Sequence, residues 1–159
     1  MSKKTVLITG ASRGIGKAIL ESFNNDYFIV GTGTSESSIK SILDNIKSLD
    51  FDGDAFKLDL GDRSSMKDLT TTLETKEIYP DILINNAGIT RDNIMLRMQE
   101  DEWDNVIDVH LNGQYLLIKS FIKIEFILGI TISPPDVFFK LKLNSFLKIM
   151  YAKAIKSFI

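Results

Sequence analysis

The chain has 159 residues, of which 44% are apolar and 25% are charged, and its formal net charge is −2. These values are ordinary for one globular domain and argue against nucleic acid as a partner, since domains that bind it carry an excess of basic residues. With no cysteine in the sequence, disulfides and thiolate metal sites are excluded. The first residues lack a long apolar run, and the most apolar window is interrupted by charged side chains. We therefore expect no signal peptide, no membrane span and a cytoplasmic location.

Short apolar runs alternate along the chain with segments in which apolar residues recur every three or four positions. The apolar runs predict strands at 5–9, 27–32, 54–60 and 81–88. The periodic segments predict helices at 15–23, 37–49, 62–76 and 99–123. Strands and helices in alternation predict parallel strands joined by crossover helices. The expected fold class is α/β, a Rossmann-like doubly wound parallel sheet, incomplete at about four to five strands, with 129–133 as the candidate fifth strand.

The first strand is followed by a turn rich in glycine, which reads TGASRGIG over residues 9–16. Gly10 permits a tight turn out of the strand, Gly14 lets backbone approach a pyrophosphate, and Gly16 lets the next helix pack closely on the sheet. The free N–H groups at the start of that helix favour an anion. The turn therefore predicts a dinucleotide site, with a plain strand-to-helix turn as the alternative.

The end of the second strand indicates which dinucleotide is bound. An NAD-binding protein usually has an acidic residue there for the ribose 2′-hydroxyl, but the stretch reads IVGTGTS and the nearest acid is Glu36. Arg13 lies within the glycine turn, and a guanidinium is well shaped to pair with a 2′-phosphate. We therefore predict NADP(H) as the cofactor; a solvated loop arginine is the alternative interpretation.

Three stretches together resemble the short-chain dehydrogenase/reductase family: TGASRGIG, the pair Asp59 and Leu60, and NNAG at 85–88. The resemblance extends over residues 3 to 121. The longer stretch NNAGITRDNIMLRMQEDEW is similar to family members that reduce a 3-oxoacyl thioester on acyl carrier protein in bacterial fatty acid synthesis. The resemblance implies an NADPH-dependent oxidoreductase with acyl carrier protein and further copies of itself as partners.

The resemblance also implies roles for individual residues of the cofactor site. Those expected along the pyrophosphate and adenosine are Gly10, Ser12, Arg13, Gly14, Ile15 and Gly16. Thr34 is expected near the 2′-phosphate, and Asp59 and Leu60 are expected to flank the adenine. Beneath the ribose the family places three residues, here Asn86, Ala87 and Gly88.

The catalytic residues of the family are not all matched. Its helical asparagine stands in V-N-L-N-G, whereas this chain has V-H-L-N-G, so His110 is a candidate proton carrier or a histidine that merely packs on its neighbours. The family's tyrosine and lysine should be four residues apart on a helix, but Tyr151 has Lys153 and Lys156 two and five residues away. Those spacings give angles of roughly 200° and 140° around a helix, so we expect the Tyr-x-x-x-Lys pair to be absent. Ser133 is the candidate for the family's serine.

The last part of the chain has a different composition. Half of the residues in 122–159 are Ile, Phe or Lys. We therefore divide the chain into a partial NADP-binding domain, 1–121, and an unassigned tail, 122–159, which we hypothesise to be translated out of frame. Three functions remain open: an active reductase, a truncated reductase with impaired or no catalysis, and a non-catalytic subunit that binds NADP or completes the interface of a full-length reductase.

Overall fold

The computed structural model describes the backbone of residues 3–130 and the side chains of residues 3–122. Within them, four strands alternate with helices in the predicted order. The strands are β1 (Lys4–Ile8), β2 (Tyr27–Gly33), β3 (Asp52–Lys57) and β4 (Ile82–Ile84). The helices are α1 (Gly14–Glu21), α2 (Glu36–Ser48), α3 (Arg63–Thr75), α4 (Glu100–Ile107) and α5 (Gln114–Ile130), with a π-helical segment, Asp108–Gly113, between the last two.

The strands form one parallel sheet in the order β3-β2-β1-β4. The predicted α/β class and the parallel, incomplete sheet are thereby confirmed. β1 lies inside the sheet and pairs with β2 on one side and β4 on the other. Within the described residues, β4 pairs only with β1, so its outer edge carries no strand.

Both faces of the sheet are covered by helices. Because neighbouring side chains of a strand point to opposite faces, Leu7 packs on the α3 and α5 side, while Val6 and Ile8 pack on the α1 and α2 side. All three are fully buried. A strand covered on both faces must be apolar throughout, which explains why β1 is a continuous apolar run rather than an alternating one.

The boundaries that differ most from the predictions are those of β3, β4 and the long helix. β4 ends at Ile84 and not at residue 88. β3 runs from Asp52 to Lys57 and not to residue 60, since the chain turns away after Leu58, whose N–H donates to the Gly33 carbonyl at 2.9 Å. The helix predicted at 99–123 is interrupted by the π-helical segment. α5 continues to Ile130, so it crosses the predicted boundary at 121/122 and includes two residues of the candidate fifth strand; 131–133 lie outside the described residues.

Gly113 closely approaches the turn after β3 at the point where the π-helical segment ends and α5 begins. Gly113 ends the π-helical segment and is buried, and a Cβ atom added to it would overlap the carbonyl oxygen of Leu60. Only a residue without a side chain lets the helix approach the turn after β3 this closely. The segment therefore lies against the carboxyl end of the sheet, where ligands bind in open α/β folds.

Candidate nucleotide-binding site

The glycine turn has the backbone that a tight exit from β1 requires. Gly10 and Gly14 have φ values of +67° and +55°, in the left-handed region that favours glycine. A Cβ atom on Gly16 would overlap the Gly10 carbonyl oxygen and approach the Asn86 side-chain amide to 2.5 Å. The tight turn and the close packing of α1 on the sheet are thus both present. No atom lies within 4 Å of a Cβ built on Gly14, so the turn is open at its outer side.

The first turn of α1 has free backbone donors. Arg13 is the N-cap residue, but its side chain makes no capping hydrogen bond, and α1 has no acidic residue in its first turn. The N–H groups at the start of a helix have no partner within the helix, and its dipole attracts an anion. Arg13 is exposed and forms no ion pair with the residues that the structure describes. Ser12 is half-buried and Ile15 is exposed.

Thr9, which the sequence analysis did not single out, joins the glycine turn to the stretch NNAG. Its side chain is fully buried, and its Oγ1 accepts hydrogen bonds from the N–H groups of Asn86 at 2.9 Å and Ala87 at 3.0 Å. The Asn86 side-chain amide donates to the carbonyl oxygens of Thr9 and Gly10 at 3.0 and 3.1 Å. The only signal in the sequence is a threonine at the end of an apolar run, which by itself reads as ordinary strand composition.

A second buried threonine joins the turn to β2. The Ala11 N–H donates to the Thr32 carbonyl oxygen at 3.0 Å, and the Gly10 N–H lies 3.4 Å from Thr32 Oγ1. Thr34 follows β2 directly and is exposed. The ends of β1, β2 and β4 are therefore held together at one edge, as the sequence predicted from their positions.

Asp59 and Leu60 follow β3 at the same edge. Asp59 is exposed, and its carboxylate accepts a hydrogen bond from the Gly61 N–H at 2.9 Å, while its own N–H donates to Ser65 Oγ at 2.9 Å. Leu60 is buried and belongs to the core on the α3 and α5 side. The predicted adenine contact of these two residues stays a prediction.

His110 projects from the π-helical segment onto the turn that follows NNAG. Its Nε2 lies 2.7 Å from the carbonyl oxygen of Ile89 and 3.1 Å from the N–H nitrogen of the same residue. One ring nitrogen donates to the carbonyl or accepts from the N–H, so the tautomer decides which bond forms. A Cβ atom on Gly88 would overlap the imidazole, so this glycine makes room for the ring. His110 thus packs on its neighbours, as one of the two interpretations predicted.

Of the three catalytic candidates, only His110 is among the described residues. Ser133 and Tyr151 both lie outside them. The absence of the family's catalytic pair stays a prediction, although Tyr115 and Lys119 have the Tyr-x-x-x-Lys spacing, with Lys119 Nζ 5.8 Å from the centre of the Tyr115 ring. Both side chains are exposed, and Lys119 lines a groove between α3 and α5, so we assign the pair no catalytic role.

Two other kinds of site were sought in the part of the chain that the structure describes. No group of three or more histidine or acidic side chains lies close enough there to hold a metal ion. Nor is any helix of that part long and apolar enough to cross a membrane.

The family model for short-chain dehydrogenases matches residues 4–126. The chain belongs to this family. The match begins at β1 and ends within α5, so it contains every element that forms the candidate nucleotide site.

Three curated relatives carry the name 3-oxoacyl-[acyl-carrier-protein] reductase FabG. The proteins of Salmonella typhimurium and Escherichia coli are 38% and 36% identical over 121 residues, which are 76% of this chain and 48% of each relative. The Pseudomonas aeruginosa protein is 41% identical over 124 residues, 76% of this chain and 49% of the relative. This chain thus spans about half the length of the curated relatives that it matches.

A solved structure, a short-chain dehydrogenase from Streptomyces avermitilis, aligns with a TM-score of 0.70 and 25% identity. The alignment covers 80% of this chain and 46% of the chain in that structure. This chain is therefore similar to about half of that structure.

Proposed function

We propose that this chain provides the NADP(H)-binding half of a reductase that acts on 3-oxoacyl groups carried by acyl carrier protein. The observation that supports the proposal best is the meeting of three stretches at one sheet edge. The glycine turn, the end of β2 and NNAG are joined there by the hydrogen bonds of Thr9 and Thr32. The names of the relatives support the substrate class.

NADP(H) is proposed over NAD(H) because of the charge at this edge. Arg13 is exposed at the start of α1, and Thr34 is exposed at the end of β2. A guanidinium and a hydroxyl suit a phosphate, whereas a carboxylate at the end of β2 would suit the ribose 2′-hydroxyl of NAD. When bound, the nicotinamide supplies the hydride. In this proposal the residues of the chain hold the pyrophosphate at α1 and the ribose above 86–88.

Catalysis by the chain alone is proposed to be impaired or absent. A general acid contributes about 10²–10⁴-fold to a rate, and the described residues offer no tyrosine at the edge where the nucleotide is proposed. His110 is a titratable side chain beside 86–88, since its imidazole packs against Gly88, but its Nε2 is engaged with Ile89. We therefore expect binding of NADPH with little or no turnover.

The second candidate function is a non-catalytic subunit that associates with a full-length reductase. Exposed apolar side chains along the long helix favour it: Trp103, Leu111 and Tyr115 are each more than half exposed. Within the described residues the outer edge of β4 is unpaired, and such an edge is a second surface that invites pairing. Co-purification of the tagged chain with a full-length reductase at constant stoichiometry supports this function, and a chain that purifies alone contradicts it.

The test of the first function is a fluorescence titration of the purified chain with NADPH, followed by NADPH oxidation with an acetoacetyl thioester. Binding that Gly16→Val abolishes, with no oxidation above the background, is the expected result. Lys47→Gln, on the outer part of α2, is the matched control and should bind as the unmodified chain does. No binding by the unmodified chain contradicts the proposal, and turnover contradicts the part that concerns catalysis.

A further inference from the structure

A groove of about 480 Å³ runs between α1 and α2 on the outer surface. Its lining includes Lys17, Ser37, Lys40 and Asp44. Every described residue that lines it belongs to α1 or α2.

One end of the groove lies beside the candidate nucleotide site. The Lys17 N–H donates to the Arg13 carbonyl oxygen at 3.3 Å, so Lys17 is one helical turn below Arg13. Ser37 Oγ lies 2.9 Å from Oγ of Ser35, the N-cap residue of α2, which directly follows Thr34. One end of the groove therefore lies next to Arg13 and Thr34. The N-termini of α1 and α2, which carry the positive ends of the helix dipoles, lie at the same end.

Of the two lysines of the groove, one forms no ion pair within the described residues and the other forms a weak one. Lys40 forms no ion pair with any described residue, although Asp44 lies four residues later on the same face of α2. A lysine that precedes its acid by four residues has the less favourable orientation for a helical pair. Lys17 pairs with Glu21 at 3.6 Å, but both side chains are more than 40% exposed, so the pair is weak. Two cations on facing helices leave this groove attractive to an anion.

We propose that Lys17 and Lys40 are specificity-determining residues, which favour NADP(H) over NAD(H) by attracting the 2′-phosphate from within the α1–α2 groove. The inference rests on the proposed function, because it presumes that the nucleotide binds at α1 with its adenosine end towards β2. Arg13 and Thr34 would contact the phosphate, whereas the two lysines act across solvent through their charge. Their effect depends on ionic strength, since the screening length is about 10 Å at 0.1 M salt and about 30 Å at 0.01 M.

The experiment measures Kd for NADPH and NADH at low salt for the purified chain and four variants. Lys17→Gln and Lys40→Gln should each weaken NADPH binding about threefold, and the double variant about tenfold, with a smaller loss for NADH, whose pyrophosphate the two lysines also attract. Asp44→Asn removes the carboxylate of the groove and should strengthen NADPH binding about twofold. Lys47→Gln, a lysine of α2 outside the groove, is the control for loss of net charge and should change neither Kd.

The outcomes separate this inference from the proposed function. If the unmodified chain binds neither nucleotide, the proposed function fails and this inference fails with it. If the chain prefers NADPH but the double variant keeps that preference, only the inference is overturned. Equal weakening of NADPH and NADH, or an effect of Lys47→Gln as large as that of Lys40→Gln, also overturns it. Should the double variant not fold, the two single variants and Asp44→Asn decide the question.

Discussion

Thr9 and Asn86 bind each other in both directions. The Asn86 N–H donates to Thr9 Oγ1 at 2.9 Å, and the Asn86 side chain donates to the Thr9 carbonyl oxygen at 3.0 Å. The two residues are 77 positions apart in sequence; Thr9 directly follows β1, and Asn86 lies two residues after β4. Their mutual bonds close the carboxyl ends of β1 and β4 into one rigid edge, on which the glycine turn rests.

Thr9→Val is expected to lower the free energy of unfolding by about 1–3 kcal/mol. Valine has nearly the same shape but leaves the N–H groups of Asn86 and Ala87 without their acceptor in a fully buried place. Thr9→Ser keeps the hydroxyl and is the control, expected to lose only the part due to one methyl group. Urea unfolding followed by circular dichroism measures both. Equal stability of the valine and serine variants would show that the hydroxyl contributes nothing.

Gly16→Ala is expected to destabilise the chain more than Gly14→Ala does. At Gly16 the added carbon overlaps the Gly10 carbonyl oxygen, so the backbone of the turn must move. At Gly14 the added carbon enters open space and the cost comes only from the positive φ, which is about 1–2 kcal/mol for a residue with a side chain. Thermal unfolding of the two variants gives the order. A Gly14→Ala variant that is the less stable of the two would contradict the geometry.

Arg13→Gln should weaken NADPH binding about tenfold and leave NADH binding nearly unchanged, if Arg13 pairs with the 2′-phosphate as proposed. Arg63→Gln at the start of α3 removes the same charge elsewhere and is the control. Fluorescence titrations of the two variants with both nucleotides measure the difference. Parallel losses for NADPH and NADH would place Arg13 at the pyrophosphate instead.

His110→Ala is expected to weaken NADPH binding, although the imidazole contacts only the backbone beside the site. Without the ring, the turn at Gly88 and Ile89 loses the contact that holds it. His110→Asn retains both a donor and an acceptor and should restore most of the affinity, as a positioning role requires. Nitrogen NMR shifts of the imidazole identify the tautomer in the unmodified chain. If alanine and asparagine variants bind alike, His110 has no such role.

The pKa of Asp62 is lowered chiefly by the hydrogen bond from the Ser64 hydroxyl, and further by the Ser64 N–H. A carboxyl whose pKa is lower in the folded than in the unfolded chain stabilises the fold above the unfolded pKa of about 4. That stabilisation is lost as the pH falls through the lowered value. The difference in stability between the unmodified chain and Asp62→Asn should therefore shrink on acidification below pH 4. A difference that is constant with pH would contradict this account.

The sequence predicted the elements well where apolar periodicity is strong. β1 and β2 are fully buried over several consecutive residues, so their runs of Val, Ile and Leu carry the signal. The predicted helix 62–76 begins at Asp62, the N-cap residue of α3, whose side chain accepts from the Ser64 N–H at 2.8 Å. The glycine turn was predictable because positive φ and close backbone contact leave glycine as the fitting residue.

What the sequence could not predict depends on contacts between distant residues. The roles of Thr9 and Thr32 come from bonds to other strands, and a threonine at the end of a strand gives no sign of them. The π-helical segment follows from the approach of Gly113 to Leu60, which helical periodicity does not encode. The contact of His110 with Ile89 likewise could not be predicted, because a lone histidine on a helix fits several roles.

The order of the strands also governs how the chain reaches this state. β1 is made first but lies inside the sheet, and its second neighbour, β4, ends only at residue 84. During synthesis one edge of β1 therefore stays unpaired until residues 82–84 have left the ribosome. Contacts between such distant residues slow folding, because the intervening chain has to be ordered before they form. Within the described sheet, the pairing of β1 with β4, beside the proposed nucleotide site, is consequently the last to be completed.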